Sequence, residues 1–261
     1  MIRIKGVSKR LGNQEVLKNI DLEIADGEIF VIVGRSGAGK SVLLRHILGF
    51  HKPDAGEVFL DEAPISALEG PELYKALKRV SMIFQLNALF DSKTVGENVG
   101  FYLKEHRINP KTGEKITPSD MAILIEEALN SVGLKGIEDL QISDLSGGMK
   151  KRVAIARGVI SEPRYIFYDE PTSGLDPVTA DAIGDLIVEQ QNAHPERTAI
   201  VVSHDIPITV GIADRIALID EGEIQIVAPP HEFMQADNPI IAKFREIIGN
   251  DMSLIRGKRS G

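Results

Sequence analysis

The sequence contains no cysteine, so disulfides and thiolate metal sites are excluded, which suits a reducing compartment. No apolar run approaches the length of about 18 residues that a membrane span needs. The opening Met1-Ile2-Arg3-Ile4-Lys5 reads as a strand, without the long apolar stretch or the Arg/Ser-rich character of a targeting segment, and none is expected. An excess of positive charge is missing as well. The formal net charge is −8, so the totals carry no basic footprint for nucleic acid or anionic lipid. Internal repeats and low-complexity tracts are lacking. What is left is an ordinary α/β composition, 43% hydrophobic, 26% charged and 5% aromatic, in 261 residues, enough for one large domain with a subdomain.

The chain is organised around Gly34-Arg35-Ser36-Gly37-Ala38-Gly39-Lys40-Ser41, which fits the phosphate-loop pattern G-x-x-x-x-G-K-[ST] at every fixed position. Before it, Ile29–Val33 is a short β-branched apolar run, as a buried strand should be; after it, Ser41–Leu48 has helical spacing and stops at Gly49. Glycines let the backbone curl so that successive N–H groups face phosphate oxygens, and the helix that starts there adds the positive end of its dipole. Lys40 would bridge the β- and γ-phosphates, and Ser41 would place its hydroxyl on Mg²⁺. The expected ligands are therefore a nucleotide and Mg²⁺.

Around this stretch the apolar pattern alternates between strand and helix. Residues 1–28 read as a small antiparallel β unit, with turns at Gly12-Asn13 and Asp26-Gly27. Further strands are expected at Glu57–Asp61, Val80–Phe84, Tyr165–Asp169 and Thr198–Val202, and a hairpin at Ile216–Ile219 and Ile224–Val227. Helices are expected at Pro71–Lys78, Thr94–Leu103, Asp120–Val132, Gly147–Ile160, Pro177–Ala193, His231–Gln235 and Pro239–Ile248, with Lys104–Ser119 as a loop and Arg256–Gly261 as a frayed basic tail. The fold class is α/β: a P-loop NTPase core with a mainly parallel sheet, an N-terminal antiparallel β unit and a helical subdomain. The expected boundaries are 1–85 with 161–229 for the core, 86–160 for the helical subdomain, and 230–261 for a C-terminal helical extension and tail. In such sheets ligands sit at the C-terminal ends of the strands.

Two further motifs point to the same chemistry. Asp169-Glu170 follows an apolar strand: Asp169 is suited to hold Mg²⁺ and Glu170 to act as general base on the attacking water, although an acidic strand end is by itself common. Leu145-Ser146-Gly147-Gly148-Met149 opens a helix with a serine and two glycines, a second anion site at a helix N-terminus where a plain cap would need no Gly-Gly.

Here the chain resembles the ATP-binding cassette (ABC) ATPases, whose signature is LSGGQ, with Met149 in the fifth position. The resemblance runs along the whole chain. It implies that Gln85 is the Q-loop glutamine that senses Mg²⁺ and the membrane partner. Pro171-Thr172-Ser173-Gly174-Leu175-Asp176 matches the D-loop run, and His204 the switch histidine at the γ-phosphate. By this likeness Glu170, His204 and Gln85 are catalytic. Ser41, Gln85 and Asp169 serve Mg²⁺, and Leu11, Val16, the loop from Gly34 to Val42, Ser146, Gly147, Gly148 and Asp176 contact ATP. An aromatic residue often found near Leu11 for stacking on adenine is missing, so the base would be held by aliphatic contact with Leu11 and Val16. The family pairs subunits head to tail, Ser146-Gly147-Gly148 of one closing over the phosphate held by Lys40 of the other, so a homodimer with two composite sites is implied.

Gln85-Leu86-Asn87-Ala88-Leu89-Phe90-Asp91, Thr94–Val99, Leu103-Lys104-Glu105-His106, Met149 with Lys150-Lys151-Arg152, and His204-Asp205-Ile206-Pro207 are similar to the ATPases of Mla/Mce-type phospholipid transporters. That likeness implies a MlaE-like membrane permease, received on an apolar groove at Ala88-Leu89-Phe90. It also implies an Mce-domain protein in the complex, a STAS-domain protein on the ATPase, and a place on the cytoplasmic side of the inner membrane. The alternatives left open are the ATPase of another ABC importer, a soluble ABC ATPase acting on nucleic acid, and a nucleotide-gated scaffold. Nucleic acid is not expected, since the chain is acidic with a single cassette, and intact Glu170 and His204 speak against a scaffold.

Overall fold

The structure is a computed structural model and describes residues 1–248; the basic tail expected to fray lies outside them. Strands β1 (Ile2–Leu11) and β2 (Gln14–Ile24) form an antiparallel hairpin with Ile2 opposite Ile24 and Leu11 opposite Gln14. Its turn uses Gly12 at φ 59°. Alternation, interrupted by register shifts past Ile4, buries Ile2, Ile4 and Val7 of β1 and Leu17, Ile20, Leu22 and Ile24 of β2. Strand β3 (Ile29–Val33) is apolar throughout and no residue in it is more than 1% exposed, as a strand covered on both faces requires. Helix α1 (Lys40–Ile47) leaves the glycine loop, β4 (Ala55–Leu60) pairs with the free side of β1, and α2 (Gly70–Leu77) carries proline in its first turn.

Strand β5 (Val80–Ile83) precedes a helical stretch that differs from expectation. The single helix expected over Thr94–Leu103 is two, α3 (Val95–Val99) and α4 (Phe101–His106), hinged at Gly100. A side chain at Gly100 would place its Cβ 2.6 Å from Ile125 Cδ1, so the hinge is a close-packing point. Helix α4 also runs three residues into the stretch expected as loop. Helix α5 (Pro118–Asn130) follows; α3 and α5 each start with a capping box, Thr94 with Glu97 and Thr117 with Asp120. Then come α6 (Gly147–Val159), β6 (Tyr165–Asp169), α7 (Pro177–Ala193) and β7 (Thr198–Ser203). Helix α8 (Ile206–Ile212) was not expected. Its residues, Ile-Pro-Ile-Thr-Val-Gly-Ile, are poor helix formers, and packing overrides their propensity. Strands β8 (Arg215–Asp220) and β9 (Glu223–Ala228) make the expected hairpin, and α9 (Pro230–Gln235) and α10 (Pro239–Ile248) end the described chain.

The chain divides into two compact units. The first comprises Met1–Lys78 with the described residues from Gln191 on; the second is Arg79–Gln190. In the first, β2, β1 and β4 form an antiparallel sheet. Strands β7, β3 and β8 pair in parallel, Ile29 opposite Ala199 and Phe30 opposite Arg215, and β9 adds antiparallel to β8. In the second, β5 and β6 pair in parallel, Val80 opposite Tyr165, beside the helices α3 to α7. The parallel strands matter for function: the glycine loop follows β3, Gln85 follows β5, Asp169-Glu170 closes β6, and His204 follows β7, all at C-terminal strand ends.

Candidate functional site

In the first unit, β3 runs straight into the glycine loop, and the loop's shape is imposed by what surrounds it. A Cβ at Gly34 would lie 2.1 Å from the Ile219 carbonyl oxygen, and one at Gly39 would lie 2.8 Å from that of Val16. Gly39 also sits at φ 107°, where a side chain is strained, and caps α1 without a side-chain bond. Gly37, at φ 81°, has open space above it. Arg35, Ser36 and Gly37 are exposed at the tip, whereas Gly34, Ala38, Gly39 and Lys40 are buried. Replacing Gly34 by alanine forces the loop off β8. We expect a loss of about 1–3 kcal/mol in stability, read by urea unfolding.

Lys40 is only 7% exposed, and its ammonium donates to the carbonyls of Gly34 at 2.8 Å and Arg35 at 3.1 Å. The cation is thus folded into the loop that it would share with a ligand. Ser41 is exposed and Val42 half-buried in the first turn of α1. A cradle closed to side chains at Gly34 and Gly39, an ammonium, a hydroxyl and a helix N-terminus form a donor set that fits a polyphosphate with a divalent cation.

The hairpin β1–β2 reaches the same place. The main chain of Val16 lies against Gly39, and Lys18 N–H donates to Gly222 O at 2.8 Å. Val16 is half-buried and Leu11, near the hairpin tip, is 44% exposed, so an aliphatic surface stands beside the glycine loop. His204, also in this unit, is exposed just past β7, where the Ser203 hydroxyl accepts from Asp205 N–H at 2.9 Å.

The second unit holds the remaining predicted residues. Asp169 and Glu170 are half-buried at the end of β6, and Glu170 has φ 49° directly before Pro171. A non-glycine residue there is strained, and the residue before proline disfavours helical backbone further. Gln85 is exposed past β5, its amide donating to the Ser173 hydroxyl at 3.2 Å, so the glutamine and the run after Glu170 meet. Ser146 caps α6 by accepting from Met149 N–H at 3.3 Å. A Cβ on Gly148 would strike Thr179 Cγ2 at 2.6 Å, and one on Gly147 would lie 3.6 Å from Leu175 Cδ2. The second glycine therefore lets α6 start against the beginning of α7. Asp176 stands at that junction; hydrogen bonds from the Thr179 hydroxyl at 2.6 Å and the Thr179 N–H at 3.1 Å hold its carboxyl below the usual carboxylate range.

Three residues here were missed by sequence reasoning. Lys151, in the run Lys150-Lys151-Arg152, is 3% exposed in α6 and donates to Gln85 O at 2.5 Å. Burial pushes its ammonium down, and the nearby charges of Asp169 and Glu170 push it back up. Arg157 donates to Asn87 O and Ala88 O. Asn98, fully buried in α3, accepts from Phe90 N–H. The available signal was helical spacing, which places 151, 154, 155 and 158 on one buried face of α6.

Comparison with known proteins agrees with these motifs. The ABC transporter family model matches residues 17–173. The chain is 36% identical over 250 residues to the intermembrane phospholipid transport system ATP-binding protein MlaF of Escherichia coli (strain K12), spanning 96% of this chain and 90% of that protein. It is 38% identical over 234 residues to the methionine import ATP-binding protein MetN of Geobacillus kaustophilus, spanning 89% of this chain and 66% of that protein. Among solved structures, the dimeric post-hydrolysis state of an ATP-binding cassette bound to ADP and Pi matches with a TM-score of 0.77 at 31% identity, over 88% of this chain and 99% of that one.

Proposed function

The chain belongs to the ABC transporter family and is one of its ATPases, and from that premise we propose that it couples ATP hydrolysis to phospholipid movement by a membrane permease of the Mla/Mce type. The observation that supports the cargo is the match to a phospholipid-transport ATPase over nearly the full length of both chains. MetN, similar at the same level, keeps a second reading in view: the ATPase of a small-solute importer.

In this reading Lys40 and the N–H groups of the loop from Gly34 to Val42 bind the phosphates, and Leu11 and Val16 support the adenine by aliphatic contact. Ser41, Asp169 and Gln85 supply the hard oxygens for Mg²⁺, which when bound neutralises phosphate charge and polarises the γ-phosphoryl group. Glu170 accepts the proton of the attacking water, and His204 donates to the γ-phosphate.

Two copies pair head to tail, Ser146, Gly147 and Gly148 of one facing the nucleotide of the other and Asp176 lining the junction; pairing as such is supported by the dimeric relative. Ser146→Arg then blocks pairing by placing a bulky cation where N–H groups should meet phosphate. The expected outcome is a monomer in ATP by light scattering, with monomer ATP affinity unchanged to within about twofold.

The MlaE-like permease, the Mce-domain protein and a STAS-domain protein are the proposed partners, at the cytoplasmic face of the inner membrane. No helix among the described residues is long and apolar enough to cross a membrane, so attachment would come through the permease. Purification of the full chain from its own membranes tests this. Co-purifying permease, Mce-domain protein and phospholipid support the proposal. A different permease with a soluble solute-binding protein would leave the ATPase standing and overturn the cargo.

A further inference from the structure

The segment that follows β5 has its backbone gripped by one helix at two places. Lys151 of α6, buried, donates to Gln85 O at 2.5 Å. Six residues on, Arg157 spreads its guanidinium over two successive carbonyls, Nη1 to Ala88 O at 2.7 Å and Nη2 to Asn87 O at 2.8 Å, with Cζ 5.9 Å from the centre of the Phe90 ring. Asn98 fixes the far end, accepting from Phe90 N–H at 2.8 Å and donating to Phe90 O at 3.1 Å.

What these bonds hold is not a relaxed backbone. Asn87 and Ala88 stand at φ 62° and 50°. Asparagine tolerates the left-handed region, but alanine is strained there, and such a conformation persists only where the surroundings over-determine it. The planar fork of arginine suits two adjacent carbonyls, and the single point charge of lysine does not. The same helix opens with Ser146, Gly147 and Gly148.

We propose that Lys151 and Arg157 are positioning residues that lock the Gln85–Ala88 backbone to α6, so that the glutamine and the serine-glycine helix start keep one fixed spacing. The proposal rests on the role given above to Gln85 in hydrolysis. The lock explains why a strained alanine is kept and why two cations point at carbonyl oxygens rather than at carboxylates. It also leaves Leu86, 88% exposed, presented on a rigid turn.

The test uses the full chain with Arg157→Lys, Lys151→Met, and Arg157→Lys combined with Ala88→Gly. Amide hydrogen exchange of residues 86–90 should speed up about fivefold in each single variant, while α1 and β3 keep their protection. Equilibrium ATP affinity should stay within about twofold, and kcat should fall about tenfold or more. Ala88→Gly should restore much of the kcat lost in Arg157→Lys, since glycine takes the left-handed backbone without a guanidinium to hold it. Unchanged exchange at 86–90 would overturn the lock. So would loosening throughout the unit without rescue by glycine, which would mark Arg157 as a general packing residue. If the wild-type chain shows no ATP turnover with its permease, the proposed function fails, and the exchange measurement still decides the lock.

Discussion

Lys40→Ala is expected to lower ATP affinity about 100-fold while the chain stays folded. The ammonium is buried, and the carbonyls of Gly34 and Arg35, the walls of the loop itself, accept from it. Removing it takes away a charge-assisted contact to phosphate and also the internal brace that draws the loop ends together. The larger effect is expected on binding, because phosphate loses its charged donor. Fluorescent-nucleotide titration measures binding and urea unfolding measures stability. An affinity within about threefold of wild type would remove Lys40 from phosphate binding. Gly34→Ala gives the contrasting pattern. It damages the cradle through the Ile219 carbonyl and should lower stability first, with affinity following from the misshapen loop.

The residues that speak most clearly in the sequence are those whose chemistry is local. The glycine loop, the serine-glycine helix start and the acidic strand end each need particular residues within a few positions, and each lies at a strand or helix end, where sequence reading places it. The elements misread depend on distant packing. The expected helix breaks at Gly100, where Ile125 leaves no room for a side chain, and α8 forms from poor helix formers. Lys151 and Arg157 belong with these. Their partners lie 66 to 70 positions back along the chain, so only the fold brings them together. In α6 the middle member of Lys150-Lys151-Arg152 is buried.

Glu170→Gln should leave ATP binding within about twofold of wild type and reduce turnover by about 10²–10⁴-fold, the range a general base supplies. The amide keeps the shape of the carboxylate and can still hydrogen-bond a water, but it cannot take its proton. ATP then persists, and the ATP-bound dimer should accumulate, visible by light scattering with unlabelled ATP and lost with ADP. Unchanged single-turnover hydrolysis would remove Glu170 from the base role. The backbone offers an independent check. Glu170 holds φ 49° before Pro171, a position where a side chain costs about 1–2 kcal/mol. Glycine ordinarily destabilises by about 0.5–1 kcal/mol through unfolded-state entropy. On the backbone terms alone, Glu170→Gly should unfold no more readily than wild type while losing the same turnover; loss of the attraction to Lys151 works against it. A chain that keeps a strained glutamate where glycine would fold as well is holding that carboxylate for chemistry; a clear loss of stability in Glu170→Gly would instead make the glutamate a structural residue.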